Sequence, residues 1–274
     1  MSPTPRRALD RVLVDRGLVA DLDAARELIA SGQVLVAGTP ATTPSRAVAS
    51  TEAITIVERA RFVGRAGEKL DAALEAFDID VAGVLALDVG ASTGGFTDCL
   101  LARGACRVLA VDVGTHQLHE RLRADPRVTS LERTNVRDLD PAQVEAVLGG
   151  LPTVVTVDLS FTSVVPHAAK LVELSARGAT LVVLVKPQFE VDHATASRGK
   201  GVVTDPTEWS TVLERAASTL LQAGAGIIGV MASTLKGASG NVEFFVHARH
   251  DQAATGADAV ATMARGAVDR AQAQ

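Results

Sequence analysis

Residues 84–98, VLALDVGASTGGFTD, constrain this chain more than any other stretch. The apolar run from Val84 to Leu87 reads as a buried strand. It ends in Asp88, followed by Gly90, Ala91, Ser92, Thr93, Gly94 and Gly95, and a helical pattern resumes through Phe96, Leu100 and Leu101. A strand that runs into glycines and then a helix leaves backbone N–H groups open at the turn, with no Cβ to hold a ligand away. A second apolar strand, RVLAVDVG, ends in Asp112 and Val113. A carboxylate at the tip of the second strand is placed to grip a ribose diol. A plain strand-to-helix turn accounts for one glycine, but not for a glycine loop followed by a second acidic strand end.

The spacing argues against a dinucleotide. DVGASTGG does not fit G-x-G-x-x-G, and Asp88 brings a negative charge where a pyrophosphate would sit. An acidic loop suits an ammonium or sulfonium. S-adenosylmethionine has both, together with a ribose and no phosphate, and is the cofactor expected here.

With 274 residues, 47% of them hydrophobic, the chain can build one large domain and a small one. The net charge of −5 means that any nucleic-acid surface must be a local patch. Cys99 and Cys106 lack metal spacing and imply no disulfide framework, so no metal is expected. The beginning, MSPTPRRALD, lacks the apolar core of a leader, and the uncharged stretch 216–235 reads as helix, turn and strand rather than a membrane span. The expectation is a cytoplasmic monomer without a membrane span.

Residues 1–58 read as a compact unit of two helices and a strand pair. RALDRVLVDRGL carries Leu9, Val12 and Leu13 at helical spacing, and DLDAARELIASGQ has a cap at Asp21 or Asp23 and a stop at Gly32. VLVAG and AITIV follow as strands. Residues 1–70 hold ten Lys and Arg against eight Asp and Glu, whereas the remainder is negative. Residues 59–66 form a short basic linker, and residues 67–77, GEKLDAALEAF, an amphipathic helix. Lys69 sits in its first turn, where a cation is disfavoured by the helix dipole, which hints at another role beside that of a solvated side chain.

From residue 84 strands and helices alternate, which gives a mostly parallel, doubly wound sheet covered on both faces. The strands are expected at 84–88, 107–112, 128–131, 153–157, 180–185, 226–232 and 243–248. Helices are expected near 95–103, 116–123, 141–148, 163–176 and 207–223. The last two strands have too short a connection for a crossover and should pair antiparallel. Residues 251–274 read as an alanine-rich tail.

Ligands bind such sheets at the carboxyl ends of the strands. There stand Asp88, Asp112, then Asn135, Val136 and Asp138 after the third strand, placed to read an adenine edge. Asp158 follows the fourth strand with Ser160 and Phe161, Lys186 follows the fifth, and KGASGNVEFF brings Asn241 and Glu243. An ionisable group after an all-apolar strand is costly unless paired or functional. A lysine against buried walls can shed its proton and serve as a base for a weakly acidic hydroxyl. Amino methylation would favour an Asn/Asp-Pro-Pro-aromatic turn, and base C5 methylation a nucleophilic cysteine. Neither is seen.

Two resemblances follow from these residues. AARELIASGQVLVAG with its loop and ITI resembles the S4 RNA-binding domain, which implies RNA contacts from Arg6, Arg7, Arg11, Arg16, Arg26 and Arg46. RAGEKL, DVGASTGGFTD, VDVG, NVRDL, VDLSF, LVKPQFE, GKGVV and GNVEF together resemble the TlyA (haemolysin A) group of rRNA 2′-O-methyltransferases, whose catalytic domain is FtsJ/RrmJ-like. That resemblance covers residues 6–250 and implies an FtsJ-like domain over 67–250. It implies a Lys-Asp-Lys-Glu centre of Lys69, Asp158, Lys186 and Glu243. It also implies transfer to cytidine ribose in 16S or 23S rRNA and an effect on capreomycin-type susceptibility. Arg65, Arg198 and Lys200 are further candidates for the RNA backbone, Arg198 and Lys200 equally for a solvated loop. Two rival readings stand beside this one. A pore-forming haemolysin needs an insertion segment and an export signal. A non-enzymatic RNA-binding module would not need all four polar positions of the centre intact.

Overall fold

The computed structural model describes residues 6–57, 61–253 and 255–273. By its contacts the chain divides into two units, Met1–Arg61 and Phe62–Gln274.

The first unit has β1 (Arg6–Ala8), α1 (Leu9–Asp15), α2 (Leu22–Ala30), β2 (Val34–Val36), β3 (Thr39–Pro40), β4 (Ala47–Ala49) and β5 (Ile54–Ile56). Asp21 caps α2 by accepting from Ala24 N. β2 pairs antiparallel with β3 and β5, and β1 with β4. Leu9, Leu13, Ala25, Ile29, Val34, Val36 and Val48 close over a small core of their own. The expected helices and strand pair are present. The β1–β4 ribbon is an addition, because three-residue strands carry too little alternation to be read.

The second unit opens with α3 (Arg65–Ala76), which takes in the last two residues of the expected linker. There follow β6 (Leu85–Val89), α4 (Gly95–Ala102), β7 (Arg107–Val111), α5 (Glu120–Arg123), β8 (Val128–Leu131), α6 (Pro141–Leu148), β9 (Val154–Val157), α7 (Ala168–Glu173) and β10 (Thr180–Val185). The chain ends with α8 (Pro187–Glu190), α9 (His193–Arg198), α10 (Pro206–Gln222), β11 (Ala225–Ala232), β12 (Phe244–His250) and α11 (Ala257–Gln272). The seven strands lie in the order β11-β12-β10-β9-β6-β7-β8. β6, β7, β8, β9 and β10 are parallel, and β12 runs antiparallel to both β10 and β11. The order reverses between β6 and β9, so the topological switch point lies beside the glycine loop, where such sheets bind ligands.

Three expectations are corrected. Residues 116–119 are a loop, not the start of a helix, because the Glu132 carboxylate accepts from the N–H groups of His116, Gln117 and Leu118. The helix expected over 163–176 is limited to a 3-10 turn, Val165–His167, and α7. The alanine-rich tail is α11, packed against α10 and β11 through Val260, Ala264, Ala267 and Val268. Alanine is the strongest helix former, and small side chains at helical spacing bury well while leaving little hydropathy contrast to read.

Candidate active site

The carboxyl edge of the sheet carries a cavity of about 630 Å³. Its wall includes Gly90, Ala91, Ser92, Thr93 and Gly95 from the glycine loop, Phe96 from α4, Asp112 and Val113 after β7, Asn135 and Val136 after β8, and Asp158 after β9. The loop is shaped by close packing. Gly90 has φ 85, and a Cβ there would come within 2.5 Å of the Asp158 carbonyl oxygen. Glycine therefore lets the first loop lie flush against the end of β9. Asp112 spans two loops: its Oδ2 accepts from Ser92 N at 2.8 Å and its Oδ1 from Gly114 N at 2.6 Å. Each carboxylate oxygen keeps a lone pair for a ligand.

Two expected cofactor residues sit elsewhere. Asp88 is 0% exposed and does not line the cavity. Thr97 Oγ1 donates to it at 2.6 Å and Thr156 Oγ1 at 3.2 Å, tying α4 and β9 to β6. Burial, with Asp158 nearby, pushes its carboxyl up to about 7, so it bears less negative charge than the sequence suggests. Gly94 also lies off the cavity. Its φ is 97, and a Cβ there would overlap Leu122 and Leu118. The left-handed φ at 94 favours glycine whatever the space around it, and the Leu118 and Leu122 side chains add to that preference.

The four polar residues of the expected centre meet as two ion pairs. Lys69 Nζ donates to Glu243 Oε2 at 2.6 Å, with both side chains nearly buried. Lys186 Nζ lies 2.6 Å from Asp158 Oδ1, while its directed hydrogen bond goes to Ser160 Oγ at 2.8 Å. The Phe189 ring stands 5.9 Å from the same ammonium and 5.5 Å from the ring of Phe161. Phe161 is 91% exposed, has φ 66, and lines the cavity beside Asp158. An exposed aromatic ring in a rarely populated backbone conformation at a cavity mouth offers a stacking face, and strain of this kind gathers at functional sites. Hydropathy gives no sign of this, since a phenylalanine ordinarily reads as core. His167, Gln117 and Thr134 also line the cavity without any motif to mark them.

The arginines expected to bind RNA are variously engaged. Arg6 pairs with Glu52 at 3.0 Å, Arg7 with Asp15 at 2.6 Å and Arg26 with Asp10 at 3.3 Å. Arg16 donates to the carbonyls of Ser50 and Glu52. Arg65 donates to Lys236 O at 2.8 Å, fixing the β11–β12 connection to α3. Arg11 and Arg46 make no ion pair among the described residues, and Arg198 and Lys200 are exposed.

This strand order, with a glycine loop after β6 and a carboxylate after β7, defines a Rossmann-like methyltransferase. The family model described as FtsJ-like methyltransferase matches residues 62–250. The 16S/23S rRNA (cytidine-2′-O)-methyltransferase TlyA of Mycobacterium tuberculosis is 48% identical over 89% of this chain and 90% of that protein. Hemolysin A of Brachyspira hyodysenteriae is 36% identical over 87% and 98%. A solved structure from Streptococcus thermophilus, described as a hemolysin, superposes with a TM-score of 0.70 at 31% identity, covering 99% of this chain and all of that one. The chain belongs to the TlyA family of FtsJ-like methyltransferases. Its cofactor is S-adenosylmethionine. The residues present fit that group: the cavity is of nucleoside size, and Asp112 and Asp158 bring two carboxylates to its wall, the chemistry that a ribose diol and a cationic sulfonium and amine call for. Among the described residues no helix is long and apolar enough to cross a membrane.

Proposed function

We propose that this protein methylates the ribose 2′-hydroxyl of a cytidine in ribosomal RNA, and that this modification conditions susceptibility to capreomycin-type antibiotics. The observation that carries the reading is the pair of ion pairs, Lys69–Glu243 and Lys186–Asp158, at the end of the sheet that bears the cofactor cavity. Bound S-adenosylmethionine supplies an electrophilic methyl group on a sulfonium. Asp158 lines the cavity and contacts Lys186, which supports reading the lysine as the group that meets the incoming hydroxyl.

Lys186 takes the 2′-hydroxyl proton as the general base. Asp158 holds and tunes Lys186. Lys69 and Glu243 position the ribose. Phe161 stacks the base of a nucleotide drawn out of its helix. Asp112 grips the cofactor ribose, and Asn135 and Val136 meet the adenine. The N-terminal unit is read as an S4-type module that docks the RNA through arginine side chains. Incubation of the protein with purified ribosomal subunits and S-adenosylmethionine, followed by mapping of 2′-O-methyl groups, tests the reading. Methylation of a base atom, or none on either subunit, would overturn it.

A further inference from the structure

Asn241 is 1% exposed and stands two residues before Glu243, at the entrance to β12. Both ends of its amide serve a single turn far away in sequence. Oδ1 accepts from Val203 N at 2.9 Å, and Nδ2 donates to Gly201 O at 2.8 Å. Trp209, on α10, donates from Nε1 to Val203 O at 2.9 Å, so that residue is held from two sides.

The turn itself is tightly built. Gly201 N donates to Ala196 O and Val202 N to Gly199 O. A Cβ at Gly199 would overlap the Val202 carbonyl. Lys200 has φ 51 and Gly201 φ 84. A lysine in the left-handed region persists only where its surroundings impose that conformation. The outcome is two exposed cationic side chains, Arg198 and Lys200, on a segment tied to the strand that delivers Glu243 to Lys69.

A solvated basic loop needs no buried two-ended amide to hold it. Burying an amide is costly unless every group is satisfied, and here both are. Holding the turn in advance reduces the ordering cost when a partner binds. A guanidinium and an ammonium at fixed positions suit the oxygens of a sugar-phosphate backbone.

We propose that Asn241 is a positioning residue that presents the Arg198–Gly201 turn as a rigid contact for the RNA backbone flanking the target nucleotide. The proposal rests on the rRNA methyltransferase reading above. The Asn241 bonds and the β12 backbone fix the spacing between the gripped phosphate and the reacting ribose.

The test uses the full chain and purified ribosomal subunits. Subunit affinity is titrated against salt, cofactor affinity is measured by calorimetry, and kcat and KM are measured for the subunit. Asn241→Ala should lower the slope of log affinity against log salt by about 1 to 2, the value for one or two lost phosphate contacts. It should raise KM for the subunit more than it lowers kcat and leave cofactor affinity unchanged. Asn241→Asp keeps the acceptor for Val203 N, loses the donor to Gly201 O, and should fall between. Lys200→Ala should add no further loss in the Asn241→Ala background, a non-additivity that lowered stability alone does not produce. If Asn241→Ala fails to fold, Gly201→Val carries the test. Its site is exposed with open space around an added Cβ, yet φ 84 forces a branched residue to open the turn. A wild-type salt slope in either variant, or a loss confined to kcat, overturns the proposal. If the wild-type protein leaves the subunits unmethylated, the functional reading fails, and the binding slopes still decide the role of Asn241.

Discussion

Lys69 Nζ and Glu243 Oε2 lie 2.6 Å apart across 174 positions of sequence, with side chains only 10% and 4% exposed. The contact joins the helix that opens the second unit to the strand that nearly closes it. Breaking a buried pair by removing one partner leaves an uncompensated charge and costs about 3–5 kcal/mol, whereas an apolar replacement of both is often neutral. Glu243→Ala should therefore lower the unfolding free energy. Lys69→Met with Glu243→Leu should restore it without restoring methyl transfer. Denaturant unfolding and methylation assays on the same samples separate the two effects. Recovery of activity in the double variant would reduce the pair to a structural role.

Lys186→Arg keeps the cation and nearly its length, but a guanidinium does not lose its proton at ordinary pH. If Lys186 is the base, methylation should fall about 10²–10⁴-fold, with cofactor affinity little changed. Activity within a few-fold of wild type would leave Lys186 a positioning group and direct the search for the base to Lys69 or Asp158.

The cofactor loop should respond differently at two positions. Gly94→Val has no room beside Leu118 and Leu122 and sits at φ 97, so it should destabilise the fold and abolish cofactor binding together. Asp112→Ala removes the acceptor shared by Ser92 N and Gly114 N as well as the proposed ribose contact. It should weaken binding by roughly 1–3 kcal/mol. Calorimetric titration with S-adenosylmethionine, beside a melting curve, distinguishes them. A normally stable Gly94→Val protein would contradict the packing argument.

Two buried groups give the stability opposite pH slopes. The Asp88 carboxyl is raised to about 7 by burial, so the folded state holds its proton more tightly than the unfolded chain. Its contribution to stability falls as pH rises from about 4 to about 7. His247 is lowered to about 4 by burial, then by Arg249, so its contribution is lost as pH falls from about 6.5 towards 4. Over that shared window the two offset one another. Asp88→Asn should unmask a stability that rises with pH, and His247→Phe one that falls. Unfolding free energies measured at about pH 4.5, about pH 5.5 and about pH 6.5 check both signs.

Within the N-terminal unit, the arginines with neither an ion pair nor a side-chain hydrogen bond among the described residues should matter most for RNA. Arg11→Ala and Arg46→Ala should each lower the salt slope of subunit binding by about 1 with little change in melting. Arg16→Ala should instead destabilise the unit, since its guanidinium braces the carbonyls of Ser50 and Glu52. Equal effects from all three would mean that the carbonyl contacts of Arg16 do not set it apart from the other two.

The sheet was legible in the sequence because its strands are apolar runs that end in carboxylates, glycines or a lysine, and period and punctuation are local properties. Asp112, Asp158, Lys186 and the glycine loop could be placed for the same reason. The resemblance supplied Lys69 and Glu243, but their contact is a product of the tertiary fold: residues 174 positions apart meet only when β12 runs beside β10. Tertiary packing also decided what Asp88 and Gly94 do, since full burial turns an acidic loop residue into a hydrogen-bonded brace and neighbouring leucines claim the space a side chain would take. It made an alanine-rich ending a packed helix, and it left Phe161 exposed at the cavity mouth, where its type alone would have placed it in the core. Local pattern records which residues can form an element. Burial and long-range partnership, which the chain acquires only on folding, determine what each side chain is free to do.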